Sequence, residues 1–197
     1  EEMIASDEID AVVVTTLDPF HEQYVMAAIK AGKYVFCEKP LAPEADACKR
    51  IVEAEMAAGK QLVHVGFMRR YDHSYQVAKK KMENGDIGDV ILVRCYSQDP
   101  ISIIEGTLEY APRSGGQFID MSIHDFDLIR WLTGSEVKEL WATGGCYEFK
   151  QYKDWDDGDN VSGLMKMEND AMAFFFAGRA ARSEERRVGK ECRSRWS

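Results

Sequence analysis

Three short apolar runs separated by two helix-length segments constrain this chain more than any other feature. Residues 9–16, Ile-Asp-Ala-Val-Val-Val-Thr-Thr, are short, apolar and β-branched, as a buried strand is. Asp18 is placed to cap and Pro19 to start a helix running to about Ala31, with Gly32 as its stop. A second strand occupies 34–37, a second helix 43–58 with Gly59 after it, and a third strand 62–65. Strand, helix, strand, helix, strand at this spacing means parallel strands joined by right-handed crossovers. The fold class expected is therefore α/β, with residues 1–70 forming the C-terminal part of a Rossmann-like parallel-sheet domain.

From Tyr71 the pattern changes. A helix is expected over 74–84 with Gly85 beyond it, a strand over 90–98, a helix from the Gly115-Gly116 pair to Gly134, and a strand over 137–147. Two alternating runs, 161–167 and 171–177, flank Glu168-Asn169-Asp170 and signal a hairpin. Strands after strands with one packed helix indicate a truncated α+β domain over 71–181 with a mainly antiparallel sheet. The stretch 150–160 reads as an acidic, flexible insert. Residues 182–197 hold six Lys or Arg against three Glu and no apolar period. They are expected to be a non-native tail that looks like a translated sequencing adapter, rather than a basic nucleic-acid arm.

Two stretches carry chemistry. In Tyr34-Val35-Phe36-Cys37-Glu38-Lys39-Pro40 the proline ends the strand and leaves Lys39 at its carboxyl end. Ligands of open parallel sheets bind outside those ends. In the 115–134 helix, Asp120 and His124 are four apart and share a face. A carboxylate beside an imidazole there can make a general base. Each stretch has a plainer reading as well: a solvated lysine, and a surface pair worth roughly 0.2–0.5 kcal/mol.

Together these stretches resemble the Gfo/Idh/MocA family of nicotinamide-dependent sugar and polyol oxidoreductases. The family's E-K-P is matched at 38–40, and its G-G-x-x-x-D-x-x-x-H with a W-L-x-G end at 115–134. Val65-Gly66-Phe67-Met68-Arg69-Arg70-Tyr71-Asp72 is similar to the corresponding run of the inositol dehydrogenase branch. The resemblance spans about residues 10–181 and implies hydride transfer between a polyol or sugar hydroxyl, of myo-inositol type, and NAD, with NADP possible. It implies Lys39, Asp120 and His124 as the catalytic set, with His124 as base and Asp120 orienting its ring. Thr15, Thr16, His21, Glu38, Lys39 and Met68 fall on cofactor positions. Arg69 and Asp99 join Lys39, Asp120 and His124 on substrate positions. A full-length parent is expected to be a homo-oligomer.

Gln98 stands where the inositol branch usually has arginine, which leaves open another sugar as substrate. A non-catalytic, dinucleotide-dependent sugar sensor is the other alternative. His64 reads as a core residue in an apolar strand, and Arg69 and Arg70 could pair with Asp72 and Glu83 on the surface.

The remaining features exclude classes. A net charge of −9 argues against nucleic acid as a partner. No run of 18 apolar residues offers a membrane helix. The five cysteines (37, 48, 95, 146 and 192) form no C-x-x-C, which suits a reducing cytoplasm. No H-E-x-x-H or paired Cys/His spacing suggests a metal. G-x-G-x-x-G is absent, as is an acidic ribose residue about 20 positions beyond it. The chain is accordingly expected to begin inside a longer protein. By itself it should bind dinucleotide weakly or not at all, and be inactive.

Overall fold

The structure is a computed structural model and describes residues 2–181. The tail expected over 182–197 lies outside the described residues. A short helix α1 (Glu2–Ala5) precedes β1 (Ala11–Val14), α2 (His21–Lys30), β2 (Tyr34–Cys37), α3 (Ala45–Ala58) and β3 (Val63–Val65). The three strands are parallel in the order β1-β2-β3, with Val14 opposite Cys37 and Cys37 opposite Val65. Gly32 and Gly59 end their helices at φ +68° and +70°, a conformation that costs a residue with a Cβ. Asp18 does not cap α2: it opens a 3-10 turn, Asp18–Phe20, with no side-chain cap at either element. Pro19 sits inside that turn, where its fixed φ and missing N–H are tolerated.

Both crossover helices cover the same face of this sheet. Val12, Val14, Val35 and Cys37 turn inward against Val25, Ala28, Ile29 and Ile51. The alternate positions Val13, Tyr34 and Phe36 stay 65, 56 and 37% exposed on the other face. Among the described residues, the helices cover one face of these strands. His64 also departs from its expected core place. It is exposed, stacked on Phe36 at 5.7 Å between ring centroids, with Tyr71 Oη 2.6 Å from Nε2.

A 3-10 turn, Met68–Tyr71, leads into α4 (His73–Glu83), whose first N–H groups are capped by the Asp72 carboxylate at 2.8 Å. Next come β4 (Leu92–Pro100), α5 (Ile104–Tyr110), α6 (Ile123–Thr133), β5 (Val137–Gly145), β6 (Asn160–Met167) and β7 (Met172–Ala181). The second sheet has the order β4-β7-β6-β5. β5 with β6 and β6 with β7 are antiparallel, and the hairpin expected around 168–170 joins β6 to β7. β4 and β7 run parallel, a long-range pairing that local patterns do not reveal. Helix α6 packs on the inner face, where Leu128 and Ile129 meet Val93, Cys95, Met165 and Phe175. Phe175 is fully buried and meets Phe126 edge-on at 4.9 Å.

The 150–160 stretch is not a flexible insert. It forms a 3-10 helix, Lys150–Trp155, with Tyr152 fully buried. The sealed Asp159 carboxylate accepts the main-chain N–H groups of Tyr147, Glu148 and Phe149 at 2.9, 2.7 and 2.6 Å. Asp157 reaches across to accept the Gln117 N–H at 2.9 Å, fixing the start of the motif helix. The acidic residues that suggest solvation are here hydrogen-bond acceptors for otherwise unpaired backbone.

Candidate active site

The cleft of interest lies where the carboxyl end of β2 meets the 115–134 segment. It encloses about 390 Å³ and is lined by Lys39, Met68, Arg69, Asp99, Asp120, His124 and Arg179, among others. The motif helix opens as a π-helical turn, Phe118–Ser122, before α6. Such wide turns gather at functional sites and rotate what precedes them out of α register. Gly116, at φ +88°, starts it, and a Cβ there would stand 3.3 Å from the Asp157 carboxylate.

Lys39 donates to the main-chain oxygen of Asp120 at 2.7 Å and to its Oδ1 at 3.3 Å. Asp120 Oδ2 accepts from Arg179. Asp120 makes no hydrogen bond to His124, whose Nδ1 is unpartnered among the described residues, so its expected role as orienter of the ring is corrected. Shared α-helical spacing suggested the pair, but the π turn and a buried guanidinium decide where the carboxylate points. Burial pushes Asp120 upward, but Arg179 and Lys39 together hold it below the usual carboxylate range.

His124 is half-buried, and its Nδ1 is sealed with no hydrogen-bond partner among the described residues. A second proton on the ring would lack an acceptor there. Burial first, then Lys39 and Arg69, depress His124 from 6.5 to about 4. It is neutral near pH 7 and able to accept a proton.

Arg69 pairs with the fully buried Asp125 and donates to Ser97 Oγ at 2.7 Å, while Ser97 Oγ donates to Asp125 at 2.9 Å. Arg70 forks onto Asp127 at 2.6 and 2.9 Å. The partners of these arginines are therefore Asp125 and Asp127, one and three residues past His124, and not Asp72 and Glu83. Asp99 keeps its place on the cleft, held through Oδ2 by Arg179 at 2.7 Å.

On the cofactor side, Thr15 and Thr16 are exposed just past β1, Glu38 is half-buried past β2, and Met68 is 67% exposed on the cleft rim. An open strand-end edge of this kind fits a dinucleotide lying across it. His21 does not lie on that edge: it is fully buried. Its ring nitrogens face Pro40 O at 2.7 Å and Thr16 O at 3.0 Å, bracing the two strand ends instead.

Arg179 is the site residue that local patterns missed. The expected strand stopped at residue 177, whereas β7 runs on to Ala181. Alternation along 173, 175, 177 and 179 puts Arg179 on the inner face, 4% exposed. A charge at an inward strand position signals buried carboxylate partners.

Comparisons with known proteins bear on the family and the fold. Residues 1–67 match the family model described as oxidoreductase family, NAD-binding Rossmann fold. Residues 75–193 match that of the GFO/IDH/MocA C-terminal domain, which reaches into the segment read as a tail. Inositol 2-dehydrogenase of Klebsiella pneumoniae strain 342 is 43% identical over 139 residues, 71% of this chain and 40% of that protein. Inositol 2-dehydrogenase/D-chiro-inositol 3-dehydrogenase of Shouchella clausii is 45% identical over 71% of this chain and 38% of its own length. The chain thus spans about 40% of the length of the curated relatives it matches. Myo-inositol 2-dehydrogenase from Lactobacillus plantarum superposes with a TM-score of 0.85 at 38% identity, covering 92% of this chain and 54% of that one. Scyllo-inositol dehydrogenase from Lactobacillus casei, solved with NAD(H) and scyllo-inositol, gives 0.82 at 37% identity over the same shares. No helix among the described residues is long and apolar enough to cross a membrane. The chain belongs to the Gfo/Idh/MocA family of NAD-binding oxidoreductases.

Proposed function

We propose that the protein containing this chain transfers hydride between a ring hydroxyl carbon of a myo-inositol-type polyol and a nicotinamide cofactor, with His124 as the base. The observation that carries this reading is a neutral, half-buried imidazole on the same cleft as an ammonium held at a parallel-strand end. When bound, the nicotinamide supplies the hydride acceptor. Thr15, Thr16, Glu38 and Met68 border the edge where it would lie.

The chain's own residues handle the proton and the orientation. His124 takes the hydroxyl proton, since its ring is uncharged at neutral pH. Lys39 has two of its three N–H groups engaged by Asp120 and presents the third to the reacting oxygen. Its charge also stabilises negative charge building on that oxygen. The Asp99 and Asp120 carboxylates accept neighbouring hydroxyl donors.

The test uses the full-length reading frame that contains this chain, with NAD and NADP against a polyol and sugar panel. Myo-inositol or a close polyol should be oxidised. His124→Asn should lower kcat by on the order of 10²–10⁴, with cofactor affinity nearly unchanged. A His124→Asn enzyme within about threefold of the parent, against the usual worth of a general base, would remove histidine from the mechanism and favour a sensor.

A further inference from the structure

We infer that Arg179 is a positioning residue of this cleft: its guanidinium holds the Asp99 and Asp120 carboxylates side by side and turns Asp120 away from His124. The inference rests on the polyol reading above and deepens it.

The geometry comes from three distant segments. The parallel β4–β7 pairing brings Asp99 beside Arg179, and the π turn brings Asp120 to the same point. Nη1 donates to Asp99 Oδ2 at 2.7 Å while Nη2 donates to Asp120 Oδ2. Arg179 Nε is buried with no partner among the described residues, so the two carboxylates alone set the guanidinium's orientation. A guanidinium offers separate N–H groups to the two carboxylates in a fixed planar geometry, which the rotatable donors of an ammonium do not impose. The cost of desolvating so many charges is offset only when every one is paired.

This arrangement has a chemical consequence. Four charged groups bear on His124: Lys39 and Arg69 disfavour its cation, while Asp120 and Asp127 favour it. Among the described residues, Lys39 is the other side chain bonded to the Asp120 carboxylate, so release from Arg179 would leave that carboxylate freer to turn toward the ring. It could then pair with the imidazolium, and the base would be partly neutralised before substrate arrives. Arg179 thus keeps the acid group for the substrate hydroxyls and the histidine for the proton. A purely structural pillar would do neither.

The test compares Arg179→Gln and Arg179→Lys in the full-length protein. The readouts are thermal midpoint, polyol KM and kcat, cofactor affinity measured separately, and the His124 imidazole titration followed by NMR. Arg179→Gln should raise polyol KM by about tenfold or more, as loss of a buried charge-assisted contact does. Cofactor affinity should hold. The His124 midpoint should rise from about 4 toward its ordinary value of 6.5. Arg179→Lys should recover the charge but not the fork, giving intermediate values of both. If Arg179→Gln does not fold, the Lys variant carries the same two measurements. A folded variant with an unmoved His124 midpoint and unmoved polyol KM would overturn the inference. If the parent oxidises no polyol, the functional reading falls. The His124 midpoint still decides the inference: a rise upholds it and no change rejects it.

Discussion

Lys39 Nζ donates to the main-chain carbonyl of Asp120 at 2.7 Å, tying the end of β2 to a helix 81 residues further along the chain. The bond is to backbone, so it survives any change of side chain at 120. It aims the ammonium at the cleft and joins the two sheets' domains at the point where chemistry is expected. Substitution at Lys39 should therefore act on both orientation and charge. Lys39→Met should lower kcat and raise polyol KM, and Lys39→Arg should not restore them, because a planar fork cannot replace a compact ammonium. Combined with His124→Asn the losses should be less than additive, since both residues act on one proton transfer. Steady-state kinetics on the two single variants and the double decide this. Additive losses would separate the roles.

Stability should fall on mild acidification, and the window follows from His124. Its folded value is depressed from 6.5 to about 4. Between those values the unfolded chain takes up a proton that the folded chain refuses, so stability is lost as pH falls from 6.5 toward 4. Asp120 acts in a separate window. Its folded value lies below 3.8, so its contribution is intact above 3.8 and lost as pH drops further. His124→Gln should flatten the first window and leave the second. Denaturation midpoints at a series of pH values test this, and an unchanged slope above pH 4 would contradict it.

Asp159 should be a large contributor among the loop residues. It accepts three consecutive backbone N–H groups and is fully buried. Burial pushes its carboxyl up, while the N–H groups of Phe149, Tyr147 and Glu148 and the Asn160 side chain hold it below the usual range. Asp159→Ala should cost about 1.5–3 kcal/mol or more, the worth of hydrogen bonds to a charged group. It should also loosen Tyr152 and raise proteolytic cleavage within 146–159. Denaturant titration and limited proteolysis give the two readouts, and wild-type resistance in both would show the loop held by other contacts.

Phe175 and Gly163 should be energetically coupled. A Cβ at Gly163 would lie 2.6 Å from the Phe175 ring and 2.8 Å from the Trp141 carbonyl oxygen. Phe175→Ala should cost about 3–5 kcal/mol for the cavity it leaves. Gly163→Ala should also destabilise, by overpacking. The double variant should lose less than the sum, because the smaller residue at 175 makes room for the added methyl. The clash with the Trp141 backbone keeps the relief partial. Additivity in denaturation experiments would refute the contact.

Local sequence was enough to determine the elements and several site positions. The apolar runs, the stop glycines at 32, 59 and 134, and the proline after Lys39 act within a few residues, so their reading carried over into β1, β2, α2, α3 and the end of α6. The strand-end lysine and the Asp120–His124 spacing were legible for the same reason. Pairings between distant segments were decided only by the tertiary structure. Both crossover helices pack on one side of the first sheet, and the loop 146–159 is held by Asp157 accepting the distant Gln117 N–H while Asp159 closes the loop on its own start at 147–149. Asp120 hydrogen-bonds Arg179 and not His124 because the π turn packs on the inner face of β7, where the guanidinium is buried. A buried charge takes whichever opposite charge the fold places beside it, and sequence spacing within one helix cannot specify a partner that arrives on another strand.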